Sequence, residues 1–197
     1  CLELDETDLE AMDRLEQLLE GAGEWTRLTA LLERRISVLE EPEALVLALE
    51  RLASIYGRDE AADAVRAAET FERILDVDET HAQATDSLVG LYSEAEDWGA
   101  LQGILIRKLE RSTDETAELE LLLTLGEVTE QRLADVPSAI EFYSRALDIE
   151  PVGRRAIAPL RRLYRQEAHW FELVELVRGH LLDIRDQADE GRTVDLL

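Results

Sequence analysis

Three features of the sequence predict an all-α fold, an α-solenoid of antiparallel helix pairs. The first is a recurring phrase, LEQLLEGAGEWTRL, LVGLYSEAEDWGAL and LRRLYRQEAHWFEL, which sets Trp25, Trp98 and Trp170 at intervals of 73 and 72 residues. A fixed period of this kind is the mark of a repeat architecture. The second is a different phrase lying between the tryptophans, in which Ala67, Phe71 and Ile74 recur 72 residues later as Ala139, Tyr143 and Ala146. The long unit is therefore two shorter ones of roughly half that length, alternating in flavour. The third is the spacing of apolar residues at three and four, as in Leu119, Leu122, Leu123 and Gly126 and then Ile140, Tyr143, Ala146 and Leu147. That spacing gives each helix one stripe for a partner, and no segment alternates in the β-branched pattern of a strand.

The repeats divide the chain into the end of a preceding repeat at 1–6, complete repeats at 7–42, 43–79, 80–115, 116–151 and 152–187, and the start of a following repeat at 188–197. In the first, third and fifth, a leucine pair (Leu15 and Leu18, Leu88 and Leu91, Leu160 and Leu163) precedes the tryptophan, and Leu28, Leu101 or Leu173 follows it. Fixed positions of this kind read as core filling at a helix-turn-helix, rather than as ligand-stacking aromatics. Pro42 opens another helix, and in the fourth repeat Asp135 and Pro137 form an N-cap and first-turn proline, with Pro151 after the helix. Proline is tolerated there because the first helical N–H groups have no intrahelical partner. The fifth contains Pro159 inside its first helix, which is expected to kink or delay it.

Composition narrows the function. Asp+Glu 45 against Lys+Arg 21 gives a formal net charge of −24, and 46% of residues are apolar, ample for a core. Such a charge repels phosphate backbones and anionic lipid surfaces, so neither nucleic acid nor membrane is expected as a partner. No apolar run approaches the roughly 20 residues of a membrane span and no signal segment opens the sequence, so a soluble, cytoplasmic chain is expected. A single cysteine allows no internal disulfide. Lys108 is the only lysine and there is no asparagine, which suggests a GC-rich bacterial gene.

On these residues the chain resembles the tetratricopeptide repeat family. The fourth repeat carries its pattern in Leu125, Gly126, Ala139, Tyr143, Ala146 and Pro151, with Thr129 where tyrosine is usual. The second repeat matches at Leu52, Ala53, Tyr56, Ala67 and Phe71, while Ile74 and Glu79 depart from the pattern. The tryptophan flavour diverges further: Leu88 and Tyr92 fit, as Tyr164 does in the fifth repeat, Trp98 takes the aromatic place at the turn, and Leu101 and Leu105 replace Ala and Phe. The resemblance implies a right-handed superhelix of about five complete repeats with partial repeats at both ends. The same alignment sets Cys1 beside Ile74 and Ala146, a core position within a helix that begins upstream, rather than the acylated cysteine of a lipoprotein.

Catalytic constellations are missing from the pattern. There is no phosphate-binding glycine loop, HExxH or GxSxG, and Cys1 at a core position is a poor nucleophile. His169 and His180 fall on one helix face but about 16 Å apart along the axis, too far to share an ion. Neither enzymatic activity, metal nor cofactor is expected.

The family resemblance implies that partners, usually peptides or proteins, bind in a concave groove lined by the first helix of each repeat. Its outward positions hold Glu10, Asp13, Gln17 and Glu20; then Leu47, Glu50 and Ser54; then Gln83, Asp86, Gly90 and Ser93; then Glu120, Leu123, Glu127 and Glu130. The fifth repeat reverses the sign with Arg155, Ala158, Arg162 and Arg165, on a helix that also carries Arg154 and Arg161. These arginines either clamp an anionic group or pair with Glu120, Glu127 and Glu130 of the adjacent repeat. The expectation is a non-catalytic interaction module whose acidic groove takes a partner with a basic segment. The alternative is an architectural spacer, or an element that self-associates end to end, within a larger protein.

Overall fold

The computed structural model of the chain describes residues 9–58, 63–151 and 153–194, and within these the side chains of all but 9, 183, 184 and 186–194. The expectation for Cys1 lies outside the described residues. Among them there are ten α-helices and no strand: α1 (Leu9–Ala22), α2 (Trp25–Val38), α3 (Pro42–Tyr56), α4 (Ala64–Val77), α5 (Ala82–Glu94), α6 (Trp98–Glu110), α7 (Glu115–Gln131), α8 (Val136–Ile149), α9 (Arg154–Gln166) and α10 (Trp170–Val194). They belong to two compact units, Cys1–Asp97 and Trp98–Leu197. Within each unit every helix packs on the next in sequence, α1 to α5 in the first and α6 to α10 in the second. Succession of neighbours without long-range crossings is the packing rule of an α-solenoid.

The starts of the helices are written locally. Asp63, Asp114 and Asp135 each accept a hydrogen bond from the backbone N–H three residues on, at 3.1, 2.8 and 3.2 Å. His81 does the same through Nδ1, which accepts from the Ala84 N–H at 3.1 Å. Each such cap satisfies one of the orphan donors of a first turn.

The turns before the tryptophans share one geometry. Gly23, Glu96 and Ala168 have φ of 70°, 54° and 56°, each two residues before a tryptophan. The next N–H in each, from Glu24, Asp97 and His169, reaches back to the carbonyl of Leu19, Tyr92 and Tyr164 at 3.0, 3.0 and 2.8 Å. This is a left-handed helix stop, for which glycine is the unstrained residue. Glu96→Gly and Ala168→Gly are therefore expected to stabilise the chain by about 0.5–1 kcal/mol each, read as a rise in denaturation midpoint.

Those turns place each tryptophan at the first position of a second helix, which corrects its expected place in the core. Trp25 and Trp98 are half-buried at the tips of the hairpins, and Trp170 is exposed. Arg58 stacks 4.8 Å from the Trp25 ring and Arg132 4.6 Å from the Trp98 ring, each from the stretch just after the next first helix. The core is made instead by Leu28, Leu32, Leu52, Ile55, Ile74 and Leu88 in the first unit, and by Leu122, Leu125, Ala146, Leu160 and Leu163 in the second. Ala67, Ala139, Tyr56 and Tyr143 are buried at their repeat positions, while Phe71, Tyr92 and Tyr164 are half-buried.

Two expectations about helix ends differ from the structure. Pro159 neither delays nor breaks α9, which runs from Arg154 to Gln166 around it. The loss of one N–H is tolerated where Ala156, Ile157, Leu160 and Leu163 are buried on the packed face. α10 continues to Val194, through the boundary expected at 188. The second helices α2 and α8 stop before Pro42 and Pro151, whereas the stretch from Asp183 to Gln187 has no proline.

Candidate functional site

The exposed faces of the first helices are where the sequence places binding residues. Glu10, Asp13 and Gln17 on α1, Leu47 and Ser54 on α3, Gln83, Asp86, Gly90 and Ser93 on α5, and Glu120 and Glu127 on α7 are exposed, as are Arg155, Ala158, Arg162 and Arg165 on α9. Glu20, Glu50 and Glu130 are half-buried. Leu123 corrects the reading: it is buried, so it lies on the packed side of α7 and not on the outward one.

Most of these carboxylates are engaged between helices. On α1, Asp13 and Glu16 pair with Arg35 of α2, and Glu16 also receives Arg51 of α3 at 3.3 Å. Glu20 takes Arg51 at 2.5 Å and Arg58 at 3.7 Å. Glu50 of α3 lies 3.2 Å from Nε2 of His81, the cap of α5, and because the other ring nitrogen accepts a hydrogen bond, Nε2 is the protonated one. In the second unit Arg155 donates to Glu120 at 2.5 Å, and Arg162 donates to Glu130 at 2.5 Å. The pairs made by Arg51, Arg155 and Arg162 join residues 31 to 35 apart in sequence, one repeat to the next.

The pairs leave a chemical trace. The hydrogen bond from Arg155 holds the Glu120 carboxyl below the usual carboxylate range, and the Arg155 guanidinium is raised in turn. Burial, reinforced by Glu130, pushes the Tyr143 phenol well above its ordinary range. Its hydroxyl donates to Glu130 at 3.2 Å, so Glu130 ties Tyr143 of α8 to Arg162 of α9. With the Glu130 side chain only 11% exposed, removing its guanidinium leaves a largely desolvated carboxylate. Arg162→Ala is expected to cost about 1–2 kcal/mol in chemical denaturation and Arg165→Ala nothing measurable, since half-exposed pairs sit between the surface and buried limits.

Arg155 and Arg162 therefore pair across the repeat junction, and Arg165 does not. Arg161, which the sequence shows only as part of a basic run, stands with Arg162, Arg165, Ala158, Leu173 and Val177 around a cavity of about 320 Å³ between α9 and α10. Neither Arg161 nor Arg165 has an acidic partner among the described residues. The signal for them lies in the repeat alignment, because α9 carries Arg161 and Arg165 where α1 carries Glu16 and Glu20.

Among the described residues no group of three or more His, Cys, Asp or Glu side chains is placed to hold a metal ion. No described helix is long and apolar enough to cross a membrane.

No protein-family model and no curated protein sequence matches the chain. Among solved structures it is similar to MamA AMB-1, at 19% identity over 94% of each chain with a TM-score of 0.49. MamA from Desulfovibrio magneticus RS-1 is similar at 14% identity, covering 90% of this chain and 96% of that one, TM-score 0.43. BtubC (BKLC) from P. vanneervenii is similar at 18% identity, covering 92% and 82%, TM-score 0.42. At such values the functional reading rests on the chain's own residues.

Proposed function

We propose that the chain is a non-catalytic interaction scaffold of the tetratricopeptide-like kind, whose first-helix faces receive a polypeptide with a basic segment. The observation that carries this is the recurrence of exposed acidic or polar side chains at equivalent places on α1, α3, α5 and α7: Glu10 and Asp13, Ser54, Asp86, and Glu120 and Glu127. Within one unit a basic segment gains from several such carboxylates at once, because each exposed pair alone contributes little. Affinity capture on the chain, compared with a Glu10→Gln, Asp86→Asn, Glu127→Gln variant and identified by mass spectrometry, tests it. Basic polypeptides enriched by the unaltered chain and lost from the variant support the reading. An identical set of captured proteins from both overturns it.

The ion pairs that run from repeat to repeat favour a second reading, an architectural spacer in which the charges hold neighbouring helices together. Light scattering separates the two: a monomer fits a recruiting scaffold, and concentration-dependent stacking fits an assembly element.

A further inference from the structure

The outward rows of the first helices are not uniformly polar. At the place that Glu10 takes on α1, Gln83 on α5, Glu120 on α7 and Arg155 on α9, helix α3 carries Leu47, and all five side chains are exposed. Among the described residues no other large apolar side chain is exposed in these rows. Leu47 is the exposed wall of a cavity of about 200 Å³, which it lines with Ala44 and Ala48 of α3 and Leu32 of α2, beside Arg35, Arg51 and Glu16. Leu32 and Ala48 are buried and give the cavity an apolar floor. It lies within the unit Cys1–Asp97, between the hairpins α1–α2 and α3–α4. Both repeats that form it are therefore present, and no further repeat of the array takes this place.

The charges around the cavity are matched to one another. Arg35 holds Asp13 and Glu16, Arg51 holds Glu16 and Glu20, and Arg58 reaches Glu20, three carboxylates against three guanidinium groups. These pairs fix Arg35 and Arg51 beside the opening, where a basic side chain of a partner meets two guanidinium groups and a carboxylate already engaged by both. An apolar side chain meets no such penalty, and it gains by covering Leu47 and the floor beneath it. Size points the same way: the volume lies below the roughly 300–1,000 Å³ of small-molecule sites and suits a single side chain.

We propose that this cavity is a specificity pocket for one aliphatic side chain of the partner, so that the segment received by the first-helix faces is basic with a leucine, isoleucine or valine at one fixed position. The proposal rests on the reading of those faces as the binding surface, and it adds a register to it. Glu10 of α1 and Asp86 of α5, exposed on the helices to either side, then meet basic residues before and after the anchor. Arg35 and Arg51 turn lysine and arginine away from the anchor position itself, an attraction and a repulsion acting at one place.

The test uses the full chain and fluorescent lysine- and arginine-rich peptides in which each position in turn carries leucine, alanine or lysine. Fluorescence anisotropy is expected to find one position at which leucine binds at least about fivefold more tightly than alanine, with lysine no tighter than alanine. Leu47→Ser, which removes the exposed wall, and Ala44→Leu, which fills the cavity, are each expected to bring the leucine-to-alanine ratio to about one and to leave the alanine peptide unchanged. Leu47 is exposed and Ala44 half-buried, circular dichroism and the denaturation midpoint check that the variants fold, and Leu47→Ser alone decides if Ala44→Leu does not. A leucine preference at no position, or one that a folded variant leaves intact, overturns the proposal. The Glu10→Gln, Asp86→Asn, Glu127→Gln variant separates the two claims. It is expected to weaken every peptide and keep the leucine ratio; unchanged binding with the ratio kept upholds the pocket and overturns the acidic-face reading. No binding of any peptide overturns both.

Discussion

Replacing Gly126 by valine is expected to destabilise the unit Trp98–Leu197 by about 3 kcal/mol or more, at the upper end of overpacking effects. A Cβ at this position would stand 2.5 Å from Cε1 of Tyr143 and 2.8 Å from Cδ1 and Cζ. The ring has no room to retreat, being 1% exposed, and its hydroxyl is held by Glu130. Glycine is here for close approach of α7 to α8, in spite of its poor helix propensity. The contrast is Gly103 in α6, where a Cβ would meet nothing within 4 Å, so Gly103→Ala should stabilise by roughly 0.8–1 kcal/mol. Guanidinium chloride titration reads both signs. Coupling to the ring is checked by Tyr143→Leu in the Gly126→Val background: the two losses are expected to sum to clearly more than the double variant shows.

Leu52→Ala should cost the unit Cys1–Asp97 about 2–5 kcal/mol. Leu52 is fully buried in α3, the helix that packs on both α2 and α4, so truncation opens a cavity shared by two hairpins. On the same helix Leu47 is 66% exposed, and Leu47→Ala is expected to change stability by no more than about 0.5 kcal/mol. Two midpoints of similar size would mean that α3 packs through its other face.

Much of this architecture is legible in the sequence because repeats report themselves. The spacing of Trp25, Trp98 and Trp170 and the three-and-four stripes point to the helix pairs found among the described residues, though not to the end of α10, and Asp135 with Pro137 announces its own helix start. Periodicity identifies equivalent positions without saying which layer they occupy. The tryptophans recur as faithfully as core residues do, yet what repeats is a turn: the left-handed residue at 23, 96 and 168 sends the next side chain but one to the hairpin tip. Likewise the inward Leu123 and the outward Glu120 are told apart only by the roll of α7 against its neighbours, which a helical wheel centred on an incompletely matching motif sets off by a fraction of a turn.

The candidate site was half visible for a similar reason. Exposure of Glu10, Asp86 and Glu127 follows from helical spacing, whereas the engagement of Glu16 and Glu20 by Arg51, or of Glu120 by Arg155, depends on how neighbouring repeats stack. Once the repeat length is known, oppositely charged residues one repeat apart on first helices are the signal to look for. The same alignment shows the sign change between α1 and α9, which the total of −24 conceals.

Binding of a labelled lysine- and arginine-rich peptide to the full chain, followed by fluorescence anisotropy at low and at raised salt, bears most directly on the role of the first-helix faces. The expected result is saturable binding that weakens at least about tenfold on raising salt, and comparably in the Glu10→Gln, Asp86→Asn, Glu127→Gln variant, since exposed charges are screened over about 8 Å at physiological ionic strength. Affinity unchanged by the three substitutions would contradict the placing of the binding surface on these faces.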